Sequence, residues 1–167
     1  MEHVAWRAMT EADLDGVLGV AEVVHPGYPE RRDVFAERLR LFALGCHVLA
    51  DGGAVLGYVV SHPWRAGQPV PLDTLLGELP AVEETRYLHD IALLPETRGA
   101  GHAARGVGRV VRDAYRAGVP SMSIVALPGT QRFWEGQGFE GRPDTLPASR
   151  LDAYGAGALW MVRDLTL

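Results

Sequence analysis

Lysine and asparagine are both absent from the 167 residues, so all sixteen basic side chains are arginine. We read this as codon usage of a GC-rich, bacterial genome rather than as function. It has one chemical consequence: a P-loop must end in Gly-Lys-Ser/Thr, and no such motif can be written here. The single cysteine, Cys46, excludes an internal disulfide and fits a reducing, cytoplasmic compartment. The start, Met-Glu-His-Val-Ala-Trp, has no basic segment followed by an apolar run, so no signal peptide is predicted. No apolar run approaches the length that crosses a bilayer. A net charge of −5 argues against broad nucleic-acid binding. No metal site and no membrane partner are predicted.

What is present fits one globular domain over residues 1–167. The length supports a full core, and 47% hydrophobic with 22% charged residues is ordinary for a soluble fold. Val4 to Met9 reads as a first strand. Thr10 and Asp13 form a near capping box before a helical stripe of Leu14, Val17, Leu18, Ala21 and Val24. His25-Pro26-Gly27-Tyr28-Pro29 is a loop, since its prolines and glycine block a helix. A second helix is predicted from Asp33 to Leu44, burying Phe35, Leu39 and Phe42. Cys46–Ala50 and Ala54–Ser61 are strands around the hairpin signal Asp51-Gly52-Gly53. His62 to Arg86 is irregular, with a short helix predicted at Leu72–Leu79; such long segments are often binding loops. Later come a strand at Met122–Leu127, a helix at Thr130–Gln137, a loop at Asp144–Ser149 and a last strand within Tyr154–Leu165.

The centre of the chain is Tyr87 to Ala117: a strand, Tyr87–Leu94, then Arg98-Gly-Ala-Gly-His-Ala103 opening a helix. Glycines at a strand-to-helix turn let backbone approach a ligand. A helix start offers free N–H groups and a positive dipole end, which suit phosphate. A dinucleotide turn, Gly-x-Gly-x-x-Gly/Ala, is matched by Gly99, Gly101 and Ala104, but the next strand ends in Pro128-Gly129-Thr130, without the acid that would hold a ribose. A third pattern, Arg/Gln-x-x-Gly-x-Gly/Ala, is met by Arg98, Gly101 and Ala103. The bland alternative is a glycine-rich helix start with no ligand. Downstream, Thr130-Gln-Arg-Phe-Trp-Glu-Gly-Gln-Gly-Phe139 places an aromatic pair before Gly-Phe.

Together the last two motifs resemble the GCN5-related N-acetyltransferases, the GNAT family, over roughly Val4 to Arg163. Tyr87-Leu88-His89 resembles the His-x-His strand of the serotonin/arylalkylamine N-acetyltransferase branch. The resemblance implies an α/β fold with a mixed, mostly antiparallel sheet, splayed at the cofactor site and flanked by helices. It implies acetyl-CoA as acyl donor, with Arg98, Gly99, Ala100, Gly101, His102 and Ala103 cradling the pyrophosphate. Ile91, Ala92 and Leu93 would pair with the pantetheine arm, and Phe133 and Trp134 would wall the thioester pocket or fill core. The implied activity is direct transfer of acetyl to a small primary amine, with arylalkylamines among the candidates, in a ternary complex. The alternative is an acyl-CoA sensor that has lost chemistry. The resemblance leaves a homodimer open.

Amine acetylation needs a base, and an imidazole titrates in a useful range, so His89 is the candidate catalytic residue. Asp90 is its rival. Strand alternation puts Tyr87, His89, Ile91 and Leu93 on one face and Leu88, Asp90 and Ala92 on the other, unless a bulge intervenes. The family resemblance implies that Tyr28, Trp64 and Tyr87, with His62 nearby, border the acceptor. Trp134 stands where the family commonly has tyrosine, and an indole N–H cannot protonate a leaving thiolate; Tyr154 is the candidate substitute. Arg105, Arg109, Arg112 and Arg116 share one helix face, read as solvated rather than as phosphate ligands. Gly106 and Gly108 cost their helix about 1 kcal/mol each unless close packing explains them.

Overall fold

The computed structural model describes residues 3–146 and 148–166. Strand β1 (Val4–Ala8) leads through a 3-10 turn (Glu11–Asp13) into helix α1 (Leu14–Val24). Asp13 accepts the Thr10 backbone N–H at 2.8 Å, as the capping pattern predicts. The Arg7 guanidinium, bonded to both Asp13 oxygens, holds that carboxyl down at about 2. Helix α2 spans Arg32–Leu41, shorter than predicted because a 3-10 turn at Ala43–Gly45 takes over its end. Then come β2 (Cys46–Asp51), β3 (Ala54–Trp64), β4 (Thr85–Leu93), α3 (His102–Arg116), β5 (Ser121–Ala126), α4 (Gln131–Gly136), β6 (Glu140–Gly141) and β7 (Leu159–Asp164). The two-residue β6 was not anticipated. Pro147, in the loop expected at 144–149, lies outside the described residues.

The seven strands form one mixed sheet in the order β1-β2-β3-β4-β5-β7-β6. Every neighbouring pair is antiparallel except β4 and β5. Alternate residues of β3 mark its two faces. Val59 joins Leu88 under α3 and α4, packed with Val107, Val110, Trp134 and Phe139. Tyr58 and Val60 join Leu14, Val17 and Phe35 under α1 and α2.

Helix α3 approaches the sheet closely at Gly106. A Cβ there would sit 2.5 Å from Cζ2 of Trp6 on β1, so this glycine is required by packing. Gly108 meets no such obstacle; a Cβ would touch only Arg112 Nη1, at 3.7 Å. Of the arginine row, Arg105, Arg112 and Arg116 are exposed, in keeping with a solvated face.

The 65–84 segment forms no helix at Leu72–Leu79. Its backbone is claimed by α2 instead. Glu37 accepts the N–H groups of Leu76 and Gly77 at 2.7 and 2.9 Å, and the fully buried Arg38 donates to the Thr74 carbonyl at 3.0 Å. Those N–H groups cannot serve a helix as well.

Candidate active site

Strands β4 and β5 pair through only two residue couples, Arg86 with Met122 and Tyr87 with Ser123. Beyond them the strands diverge, and β4 from Leu88 to Leu93 has no β5 partner. A cleft of about 550 Å³ fills the splay. Leu88, Ile91, Ile124, Phe133 and Trp134 give it apolar walls on the α3 side. At one end it reaches the start of α3, where Arg98, Gly99, Gly101, His102 and Ala103 line it. At the other it reaches Tyr28, Glu30, Leu72 and Tyr154.

The turn into α3 is shaped by two left-handed glycines, Gly99 at φ 88° and Gly101 at φ 79°, a conformation that L side chains rarely adopt. Gly101 is the N-cap of the 15-residue helix. Arg98 donates to the Leu93 carbonyl at 3.1 Å and Arg105 to the Ala100 carbonyl at 2.9 Å, so both ends of the turn are tied. Trp6 Nε1 donates to the His102 carbonyl at 2.8 Å. Ala100 faces outward, exposed, and does not line the cleft.

The alternation expected along β4 fails at a bulge. Val60 of β3 faces Asp90, yet Ser61 faces Leu88, leaving His89 as the extra residue. The bulge turns His89 and Asp90 to the same side of the sheet. Asp90 bonds His25 and Tyr58, while His89 bonds Glu30 and lies edge-on to Phe35, all from the α1–α2 side. Ile91 packs on the opposite side, with the α3 cluster. The grouping of His89 with Ile91, and the separation of His89 from Asp90, are therefore corrected.

His89 Nε2 lies 2.8 Å from Glu30 Oε1, and the two side chains are only 3% and 6% exposed. Burial works against an ionised Glu30, but the charge and hydrogen bond of His89, helped by the Asp73 N–H, hold its carboxyl below the usual range. In the neutral form, a ring donating to that carboxylate carries its proton on Nε2 and its lone pair on Nδ1. Asp90 is bound on both oxygens. His25 Nε2 lies 3.0 Å from Oδ1, and the Tyr58 hydroxyl donates to Oδ2. Burial opposes the charge on Asp90, but the His25 contact outweighs it and keeps the carboxyl low. His25 is pushed down by burial and up by Asp90, with a net rise. Asp90 and His25 thus form a partly buried ion pair beside His89.

Two of the expected acceptor residues lie elsewhere. Tyr87 is buried in a separate cluster with Val70 and Trp160, its hydroxyl accepting the Val70 N–H at 3.2 Å. Trp64 packs at the margin of that cluster and donates to the Gln68 carbonyl at 3.0 Å. β3 runs three residues further than predicted, which carries His62 and Trp64 away from the splay. Tyr28 does line the cleft, and donates to the Tyr154 carbonyl at 3.1 Å. The Tyr154 hydroxyl, the candidate thiolate acid, is spent on the Val70 carbonyl. Burial, with Tyr87 beside it, drives that phenol far above its ordinary range. Trp134 lines the cleft and is 6% exposed, edge-on between Phe133 and Phe139 at 5.0 and 5.4 Å. Ala92 and Leu93 line the cleft.

The acetyltransferase (GNAT) family model matches residues 6–139. The chain belongs to the GNAT family. Similar solved structures share the whole fold. A GNAT-like decarboxylase, GphF, in complex with isobutyryl-CoA is 16% identical, with TM-score 0.78, covering 97% of this chain and 100% of that one. The loading GNATL domain of CurA from Lyngbya majuscula is 12% identical, with TM-score 0.81 and coverage of 97% and 98%. The ribosomal-protein-S18-alanine N-acetyltransferase from Escherichia coli is 14% identical, with TM-score 0.68 and coverage of 98% and 95%. At these identities the likeness concerns the fold. A search of curated proteins gave no match. Among the described residues no helix is long and apolar enough to cross a membrane, and no group of His, Cys, Asp or Glu could hold a metal ion.

A GNAT domain typically uses acetyl-CoA, and the residues present fit it. The unpaired edge of β4 offers backbone donors and acceptors to an amide-bearing arm. A Cβ at Gly99 would point into open space, so the turn has room at the helix start.

Proposed function

We propose that this GNAT domain transfers acetyl from acetyl-CoA directly to a small primary amine, with His89 as general base. The observation that carries the reading is the His89–Glu30 pair, set by the bulge in a cleft continuous with the N-terminus of α3. Backbone N–H groups at Gly101 to Ala103 would hold the pyrophosphate, and Ile91 to Leu93 the pantetheine amides. When bound, acetyl-CoA supplies a thioester whose C–S bond breaks as the N–C bond forms. Nδ1 of His89 takes the proton the attacking amine gives up, directly or through one water. Neither Trp134 nor Tyr154 is suited to protonate the thiolate, so solvent supplies that proton.

Small size of the acceptor is supported by the mouth. Tyr28 of the α1–α2 loop is tied to the Tyr154 carbonyl, and Tyr154 to Val70 of the long loop, so three segments bridge over this end of the cleft. Tyr28, Val24 and Leu72 offer an aromatic and apolar lining, in keeping with an arylalkylamine. The missing hydroxyl at Trp134 favours a second reading, an acyl-CoA sensor without turnover. A panel of primary amines assayed for free-thiol release separates the two. We expect steady release with arylalkylamines and a loss of about a hundredfold or more in His89→Gln. Binding of acetyl-CoA without release by any amine would leave the sensor.

A further inference from the structure

His89 is not held by its own strand alone. Its ring bonds Glu30, and Glu30 is bonded again on its far oxygen, where Oε2 accepts the Asp73 N–H at 3.0 Å. Asp73 lies at the tip of the long 65–84 segment, directly after Leu72, which lines the acceptor end of the cleft. Among the described residues Asp73 is the one non-glycine residue with positive φ, 53°. That conformation is costly for side chains in general and least so for aspartate and asparagine. Strain of this kind persists only where the surroundings enforce it, and it gathers at functional sites.

The surroundings here are explicit. Arg31, the neighbour of Glu30, donates its backbone N–H to Asp73 Oδ1 at 2.8 Å and its Nε to both carboxylate oxygens at 3.1 Å. Its Nη2 reaches the Asp73 carbonyl at 3.2 Å. Two consecutive residues of the α1–α2 loop therefore grip one strained residue from two directions. One of them, Glu30, is the residue that fixes the imidazole.

We infer that Glu30 is a positioning residue for His89, and that the docked loop tip at Asp73 holds Glu30 in its working geometry. The inference rests on the reading of His89 as base. Glu30 selects the tautomer with the proton on Nε2 and the lone pair on Nδ1. Asp73 stops the carboxylate from rotating away, because it occupies the second oxygen. An amine that presses on Leu72 bears on the adjoining link of that chain, so acceptor shape feeds into the setting of the base.

The test uses the full chain, acetyl-CoA and the best amine of the panel. Steady-state kinetics are combined with 15N NMR of the His89 ring. Glu30→Ala is expected to lower kcat about 10- to 100-fold, by analogy with carboxylates that orient metal-bound histidines, with KM for acetyl-CoA unchanged. The 15N spectrum should change from a single Nε2–H tautomer to a mixture. Asp73→Ala, which loses the Arg31 fork and strains the backbone, should lower kcat in the same direction; Asp73→Asn should restore it. If Glu30→Ala fails to fold, Glu30→Gln is read the same way, since one amide oxygen cannot serve both donors. A folded Glu30 variant with full kcat and a fixed tautomer overturns the positioning role while leaving His89 as base. Full turnover in His89→Gln overturns the base reading itself.

Discussion

Asp90 and His25 close on each other at 3.0 Å across the bulge that turns His89 to the same side of the sheet. The contact joins β4 to the first residue after α1, and Tyr58 of β3 secures the other carboxylate oxygen. Asp90→Asn leaves the His25 cation without its partner. We expect a loss of about 2 kcal/mol, as for other hydrogen bonds to charged groups, read by urea unfolding at pH 7. Turnover per folded molecule should fall less than in His89→Gln. A stable Asp90→Asn that is inactive would make Asp90 the base.

Acetyl-CoA should raise the melting temperature by mass action, while NAD and ATP should not. Gly101→Asp should abolish the shift. Its side chain meets a backbone φ of 79° and its charge opposes a phosphate at the helix start. Equal stabilisation by NAD would count against the cofactor assignment.

Trp134→Phe should keep most of the turnover, because no ionisable hydrogen is lost. Tyr154→Phe should also keep it, since that hydroxyl is committed to the Val70 carbonyl. Its cost is expected in stability, about 1 kcal/mol for one hydrogen bond. A drop in turnover of about a hundredfold in Tyr154→Phe, without unfolding, would instead identify it as the acid.

The two helical glycines should respond with opposite signs. Gly106→Ala forces a methyl against the Trp6 ring and should destabilise by about 1–3 kcal/mol, the usual cost of overpacking. Gly108→Ala enters free space and should stabilise by up to about 1 kcal/mol through helix propensity. Thermal melts of the pair decide it; equal effects would contradict the close approach at Trp6.

His62 is buried, its Nε2 has no partner among the described residues, and burial, against the Pro63 carbonyl contact, takes its pKa down to about 3. The unfolded chain takes up that proton near 6.5, the folded one only near 3. Stability from the neutral ring is full above about pH 6.5 and falls by about 1.4 kcal/mol per pH unit below it. Denaturant titrations at pH 7 and 5 should differ by about 2 kcal/mol more in the native protein than in His62→Gln. An identical difference in both would show that the fold does not depress His62.

The central strand-turn-helix was legible because its signals are local. Pro95 and the glycines punctuate it, and the apolar stripe of α3 falls where a 3.6-residue period puts it. The bulge was not legible in β4 alone, because register belongs to the pair, and only Val60 and Ser61 of β3 reveal the extra residue. Tyr87 and Trp64 were misplaced for a related reason: alternation says which residues share a face, not how far along the strand the splay begins. Glu30 carried no local mark. It lies 59 residues from His89 and meets it only because the α1–α2 loop folds over the sheet. The helix expected at 72–79 failed to Glu37, a buried acid on another element that outcompetes the helical ladder for two N–H groups.

Trp6 belongs to the outermost strand, yet its indole bonds a carbonyl in the first turn of α3 and its ring sets how near that helix can come. The position of the turn proposed to hold the phosphates is therefore tied to the rim of the sheet. A library scored for cofactor retention is expected to recover Trp6 substitutions beside those at Gly101, although the two positions lie far apart in the sequence. An engineer who wished to weaken cofactor binding without altering the cleft could begin at that edge.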